Sequence, residues 1–169
     1  RPTWTERHFM SILVVSVLLF GGTSLAVGMA QSIWFDEAYS IMLAKQDTGQ
    51  LLHLTAMDTH PPLYYLLLKG WAAMFGWSEL AVRSFSVLAA SGAVMVAGLL
   101  VKRLFGVRTA LVVLPFIVFA PFLLRYGFEI RMYALASLIG IAATYVLTAA
   151  LQAKDRRQWI LYAAYAVLV

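Results

Sequence analysis

Asp36 and Glu37 stand side by side in Trp34-Phe35-Asp36-Glu37-Ala38-Tyr39-Ser40, directly after a stretch from Phe9 to Phe35 that carries no charge. A carboxylate so placed has proton transfer open to it: within hydrogen-bond reach of a hydroxyl, it takes the proton as the oxygen becomes a nucleophile. The second carboxylate either positions the incoming hydroxyl or raises the pKa of the first by like-charge repulsion. Further along, Arg125, Glu129, Arg131 and Tyr133 form a second polar group. Arginine presents a planar fork of donors that matches phosphate oxygens, and a preorganised cation stabilises charge building on a leaving group. Between these groups Asp58 and His60 precede Pro61-Pro62-Leu63-Tyr64-Tyr65. Tyr64, Tyr65 and Tyr133 are hydroxyls that would line a polar pocket.

Plainer readings exist for each. An Asp-Glu pair near a helix start is favoured by the helix dipole alone. Arg125 and Glu129 are spaced for a simple i, i+4 ion pair, and an arginine at the end of a span snorkels. Tyrosine is expected at a membrane interface in any case, and Lys69 and Arg83 suit headgroup contacts. His60 before two prolines reads equally as a turn residue bonded to backbone.

The elements that must position these groups are membrane helices. With 62% hydrophobic and 12% charged residues and a mean hydropathy of +0.81, the chain has lipid as its main solvent. The net charge of +5 falls in short clusters between apolar runs, which fits orientation in a bilayer and carries no nucleic-acid signature. There is no cysteine, hence no disulfide framework and no thiolate metal site. Against the roughly 20 residues that cross a hydrocarbon core, the apolar runs predict spans over about 9–30, 84–101, 109–124 and 132–153. The third is short, and Pro115 and Pro121 predict a kinked or broken helix. A further run begins at Gln158 and stops at Val169. It is expected to be a truncated span, and the 169 residues are expected to be the first part of a longer protein.

The first span is too long, and lacks a small-residue cleavage site, to read as a secretory signal. Residues 35–78 predict interfacial helices in the first outer loop. Trp34, Ala38, Ile41 and Met42 recur at helical spacing, Thr48-Gly49 is expected to break that helix, and Pro61-Pro62 to start the next. Reading Leu63 to Trp77 as a span would invert the sidedness of everything that follows. With the N-terminus cytoplasmic, eight basic residues (Arg1, Arg7, Lys102, Arg103, Arg108, Lys154, Arg156, Arg157) lie inside and five (Lys45, Lys69, Arg83, Arg125, Arg131) outside. Asp36, Glu37, Asp47, Asp58, Glu79 and Glu129 then all face out. The fold class expected is an all-α polytopic membrane protein with about four to five transmembrane helices.

The order of motifs carries a resemblance. Asp36-Glu37 after the first span, then His60-Pro61-Pro62-Leu63-Tyr64-Tyr65, Arg83, Lys102-Arg103-Leu104-Phe105-Gly106 and Glu129-Ile130-Arg131-Met132-Tyr133-Ala134-Leu135 resembles the GT-C superfamily of membrane glycosyltransferases. Within it, the chain looks like the branch of protein O-mannosyltransferases and lipid A aminoarabinose transferases, in its N-terminal portion. The resemblance implies an enzyme of the plasma (inner) membrane that uses a polyprenyl-phosphate-linked sugar. It places the catalytic carboxylate in the first outer loop and further polar residues in the second. The acceptor would be a hydroxyl on protein, lipid or glycan. In that reaction Asp36 is the expected base, with Glu37 beside it, and inversion at the anomeric carbon is the expected outcome. Arg131 and Arg125 are expected at the phosphate, and Asp58, His60, Tyr64, Glu129 and Tyr133 at the substrate.

The pattern assigns no definite cofactor. A divalent cation on Asp58 and His60, with Asp36 or Glu129, stays open, although a two-residue spacing is weak evidence for a site. Two other classes also stay open: a lipid or sugar-lipid transporter or flippase, and a noncatalytic assembly subunit. Transporters place their charges near the bilayer midplane in interrupted spans. Here the charges gather at span ends on one side.

Overall fold

The computed structural model describes residues 3–58, 60–153 and 157–168. Arg1, Lys154 and Arg156, used above for sidedness, lie outside the described residues. Those described form helices and connections without a strand. The first helix, α1 (Trp4–Met29), opens with a reciprocal cap in which Thr3 Oγ1 accepts from Glu6 N–H and the Glu6 carboxylate accepts from Thr3 N–H. Next come three short helices, α2 (Phe35–Lys45), α3 (Thr48–Met57) and α4 (Leu63–Phe75), and then the long α5 (Glu79–Val118). Helices α6 (Pro121–Tyr126), α7 (Tyr133–Gln152) and α8 (Arg157–Leu168) complete the order.

Among the described residues three helices, α1, α5 and α7, are long and apolar enough to cross a membrane. The predicted spans 84–101 and 109–124 are separate pieces within that count: the first lies in α5 before Gly106 and the second begins in α5 after it. That helix is interrupted at Gly106, whose φ of 85° and ψ of 170° are open to glycine and strained for other residues. The last apolar run, α8, has 12 residues, or about 18 Å of helix at 1.5 Å per residue, short of a bilayer core. The third predicted span also divides: Pro115 sits within α5, and Pro121 starts α6 in the first-turn position proline tolerates.

α1 packs on α5, α5 on α7 and α7 on α8, while α2 rests on α4 and α4 on α5. Where lipid tails are as apolar as leucine, such contacts depend on close approach rather than on expulsion of water. Small residues supply that approach: a methyl group added at Gly98 would stand 2.6 Å from Leu13 Cδ1, and one at Gly92 3.2 Å from Leu138 Cδ1. One buried cluster, with Phe9, Leu13, Phe20, Val94 and Leu114, joins α1 to both parts of α5. Another, with Leu43, Leu51, Tyr65, Leu68, Val82 and Ile130, lies under the short helices.

The short helices depart from expectation in one place. Thr48-Gly49 does not end a helix but begins one, because the Asp47 carboxylate accepts from Gln50 N–H and caps α3. The break falls at Gln46, where Lys69 Nζ donates to the Gln46 carbonyl and ties the end of α2 to α4. Helix α2 turns Glu37, Ser40, Leu43 and Ala44 inward and leaves Trp34, Phe35 and Met42 exposed.

Candidate active site

The polar residues of α2 meet the connection 127–132, between α6 and α7, at one end of the bundle. This connection is drawn tight by Arg131 N–H donating to the Glu129 carbonyl at 2.7 Å. Phe128 anchors it against α1, where a methyl group on Gly28 would come within 2.8 Å of Phe128 Cβ.

Glu37 and Arg83 are the fixed point of this region. The guanidinium of Arg83 donates to both Glu37 oxygens, at 2.7 Å and 3.2 Å, and its Nε donates to Glu79 at 2.9 Å. The same guanidinium donates to the carbonyls of Gln31 and Phe128, at 3.2 Å and 3.5 Å. Glu37 Oε1 also accepts from Ile130 N–H at 3.0 Å, and Oε2 from Trp34 N–H at 3.3 Å. Both side chains are closed to solvent, at 1% and 0% exposed for Glu37 and Arg83. A buried ion pair persists when its remaining donors and lone pairs are also satisfied, as here. Arg83 is therefore not a headgroup contact: it is a core residue joining α2, α5 and the 127–132 connection.

Asp36 also faces an arginine, but loosely and with access to solvent. Its side chain is 37% exposed, and its Oδ2 stands 3.6 Å from the guanidinium of Arg131, itself 7% exposed. Arg131 also approaches His60 Nε2 at 3.3 Å. The other imidazole nitrogen of His60 lies 2.9 Å from Asp58 Oδ2, which accepts from the Tyr39 hydroxyl at 3.2 Å. Asp36, Arg131, His60, Asp58 and Tyr39 thus form one chain of polar contacts, from α2 through the start of α4 to the start of α7. Tyr39 was not singled out from the sequence, although it sits one helical turn after Asp36. Burial, and then its hydrogen bond to Asp58, push the Tyr39 hydroxyl above the usual phenol range. For Arg131, burial disfavours the charge, but the Tyr133 hydroxyl and the Asp36 carboxylate outweigh it, so the net shift is upward and the cation is secure. Its guanidinium lies 5.7 Å from the Tyr133 ring centroid.

Arg125 and Glu129 make the i, i+4 pair that their spacing allows, at 2.6 Å. Arg125 is half exposed, while Glu129 is buried with Oε2 lacking a hydrogen-bond partner. Burial pushes the Glu129 carboxyl up, against the pull of Arg125. Tyr64 turns from the polar chain: it is 2% exposed and its hydroxyl shares a hydrogen bond of 2.9 Å with Ser86 Oγ. Among the described residues no group of three or more His, Cys, Asp or Glu side chains is arranged to hold a metal ion. Asp58 and His60 face each other, and the third member of their cluster is a cation.

The arrangement offers a partly exposed carboxylate, a buried guanidinium directed at it, and an imidazole-carboxylate pair, also partly exposed, on another side of the guanidinium. That combination suits deprotonating a neutral group beside a bound anion. A family model described as dolichyl-phosphate-mannose-protein mannosyltransferase matches residues 59–168, which contain His60, Arg83, Arg125, Glu129, Arg131 and Tyr133 but not Asp36 or Glu37. No curated protein and no solved structure matches the chain.

Proposed function

We propose, from the premise that the chain belongs to the dolichyl-phosphate-mannose-protein mannosyltransferase family, that Asp36 and Arg131 form the reacting pair of a membrane glycosyltransferase. The observation that carries this reading is the approach of Arg131 to Asp36, at 3.6 Å, with the carboxylate open and the guanidinium nearly closed to solvent. A polyprenyl phosphate sugar would place its phosphate at Arg131, displacing the guanidinium from Asp36. The freed carboxylate then takes the proton of an acceptor hydroxyl. As the acceptor oxygen bonds to the anomeric carbon, the carbon-oxygen bond to phosphate breaks on the opposite face. Its electron pair leaves with the polyprenyl phosphate, and the sugar is inverted. Charge building on the departing phosphate is met by a guanidinium already in place, which costs little reorganisation.

In this reading Glu37 is a positioning residue. With both oxygens held by Arg83 and backbone N–H groups, it fixes the first turn of α2 and thereby the direction of Asp36. His60 and Asp58 hold Arg131 from behind, while Tyr133 borders the same guanidinium. Arg125 and Glu129 would stiffen the connection that carries Arg131. The acceptor is a hydroxyl on protein, lipid or glycan, and the site opens to the outer face of the plasma (inner) membrane, with the N-terminus cytoplasmic. No step requires a divalent cation.

The position of the charges favours chemistry over transport, because they cluster where helices begin and end rather than midway along a span. Donor binding tests the phosphate assignment. Arg131→Ala in the intact protein should weaken binding of a polyprenyl phosphate sugar by about one to two orders of magnitude, as expected for loss of a charge-assisted contact of roughly 1.5–3 kcal/mol. Unchanged donor affinity removes Arg131 from the phosphate site.

A further inference from the structure

Tyr64 and Tyr65 are neighbours on α4, and successive residues of a helix point about 100° apart, so their hydroxyls reach different places. Tyr64 turns to α5 and is satisfied there by Ser86. Tyr65 is 0% exposed and packs with Leu43, Ile130 and Tyr39, yet its hydroxyl makes no hydrogen bond. Ser40 stands near it, but the Ser40 hydroxyl donates to the Asp36 carbonyl at 3.0 Å. Burial pushes the Tyr65 hydroxyl above the usual phenol range, and the largest pull against it comes from the Arg131 cation, ahead of Ser40. The two tyrosine rings meet edge to face with centroids 5.6 Å apart, which holds the Tyr65 ring in place.

Arg131 has a matching gap in its hydrogen bonding. Its Nη2 faces Asp36 at 3.6 Å and His60 at 3.3 Å, while its Nε is buried without a partner. Nε and Nη2 donate along one edge of the guanidinium, in the paired geometry that phosphate oxygens accept. A buried donor left unpaired costs stability, and folded proteins keep few of them. Among the described residues the other two buried side-chain atoms without a partner are Ser24 Oγ, in α1, and Glu129 Oε2, an acceptor when ionised. We propose that Tyr65 is a further phosphate-binding residue: the lipid-linked phosphate takes the Nε–Nη2 edge of Arg131 in place of Asp36, and the Tyr65 hydroxyl donates to an oxygen of the same phosphate. The inference rests on the reading of Arg131 as the phosphate ligand. It also supplies a reason for the phosphate to displace the carboxylate. Asp36 engages Nη2 alone, and loosely, whereas the phosphate satisfies Nε and the Tyr65 hydroxyl as well.

Binding of a polyprenyl phosphate, and of the same lipid carrying its sugar, to the intact protein in detergent tests this. Tyr65→Phe keeps the ring and removes only the hydroxyl. It should weaken both lipids by about tenfold, as expected for one hydrogen bond to a charged acceptor. The melting temperature of the lipid-free variant should not fall, because an unpaired buried hydroxyl has gone, whereas Tyr64→Phe should melt lower through loss of its bond to Ser86. Unchanged affinity of Tyr65→Phe for both lipids overturns the proposal. So does a weakening confined to the sugar-bearing lipid, which would move the hydroxyl to the sugar. A fall in melting temperature equal to that of Tyr64→Phe would also overturn it, by placing the hydroxyl in a bond of the fold. Weak binding by Arg131→Ala with normal binding by Tyr65→Phe would remove Tyr65 alone, and normal binding by both variants would remove the phosphate site itself.

Discussion

Adjacent carboxylates can have opposite fates when a helix turns one inward and the other outward. Asp36 and Glu37 are neighbours in the chain, yet Glu37 is buried against Arg83 while Asp36 stays partly exposed beside the buried Arg131. The sequence makes both acids visible, draws attention to Arg131 and places Arg83 in the order of motifs, but it conceals what Arg83 pairs with. A lone arginine at the start of an apolar run reads as a headgroup anchor, and nothing local says otherwise. Its partners Glu37 and Phe128 lie 46 and 45 positions away, so only tertiary structure brings them to it. The consequence is measurable. Arg83→Met should destabilise the protein by about 3–5 kcal/mol, because it leaves Glu37 as a buried, uncompensated charge. Adding Glu37→Gln should recover part of that loss, and thermal unfolding in detergent reads both effects. A headgroup role for Arg83 would instead make the single variant nearly neutral.

Each element shows a different balance between local signal and packing. The long apolar runs announce α1, α5 and α7 from composition, and the division of the third predicted span follows the two prolines, with Pro115 inside α5 and Pro121 at the start of α6. Helix α3 is hidden in the sequence: Thr48 and Gly49 look like a break, whereas Asp47 caps the helix they begin. The approach of α1 to the 127–132 connection is likewise invisible locally, since Gly28 in an apolar run reads as generic packing. Here its missing side chain makes room for Phe128, three residues before Arg131. Gly28→Ala would bring a methyl carbon within 2.8 Å of Phe128 Cβ and should cost about 1–3 kcal/mol through overpacking. Because Phe128 belongs to the connection that carries Arg131, donor affinity should fall with it. Gly22→Ala, where an added methyl meets nothing within 4 Å, should leave both properties unchanged. Equal behaviour of the two variants would show that the connection does not depend on this contact.

At the scale of the whole molecule, the helices gather the Asp36–Arg131 pair at one end of the bundle. Membrane character and all-helical class were legible from composition, and the family from the order of its short motifs. What remained out of reach was which polar side chains close on one another, because helix packing rather than spacing decides that. The proposed sidedness is open to direct measurement, since the chain has no cysteine and single ones can be introduced. Asp47→Cys should react with a membrane-impermeant maleimide in intact cells, and Arg108→Cys should react only after permeabilisation; the reverse pattern would invert the topology. The central claim, that Asp36 is the base acting beside a phosphate held by Arg131, is tested most directly by the transfer rate of Asp36→Asn under a saturating polyprenyl phosphate sugar donor. The account predicts a rate lowered by about 10²–10⁴-fold with donor affinity retained. A variant that transfers sugar at the wild-type rate would contradict it.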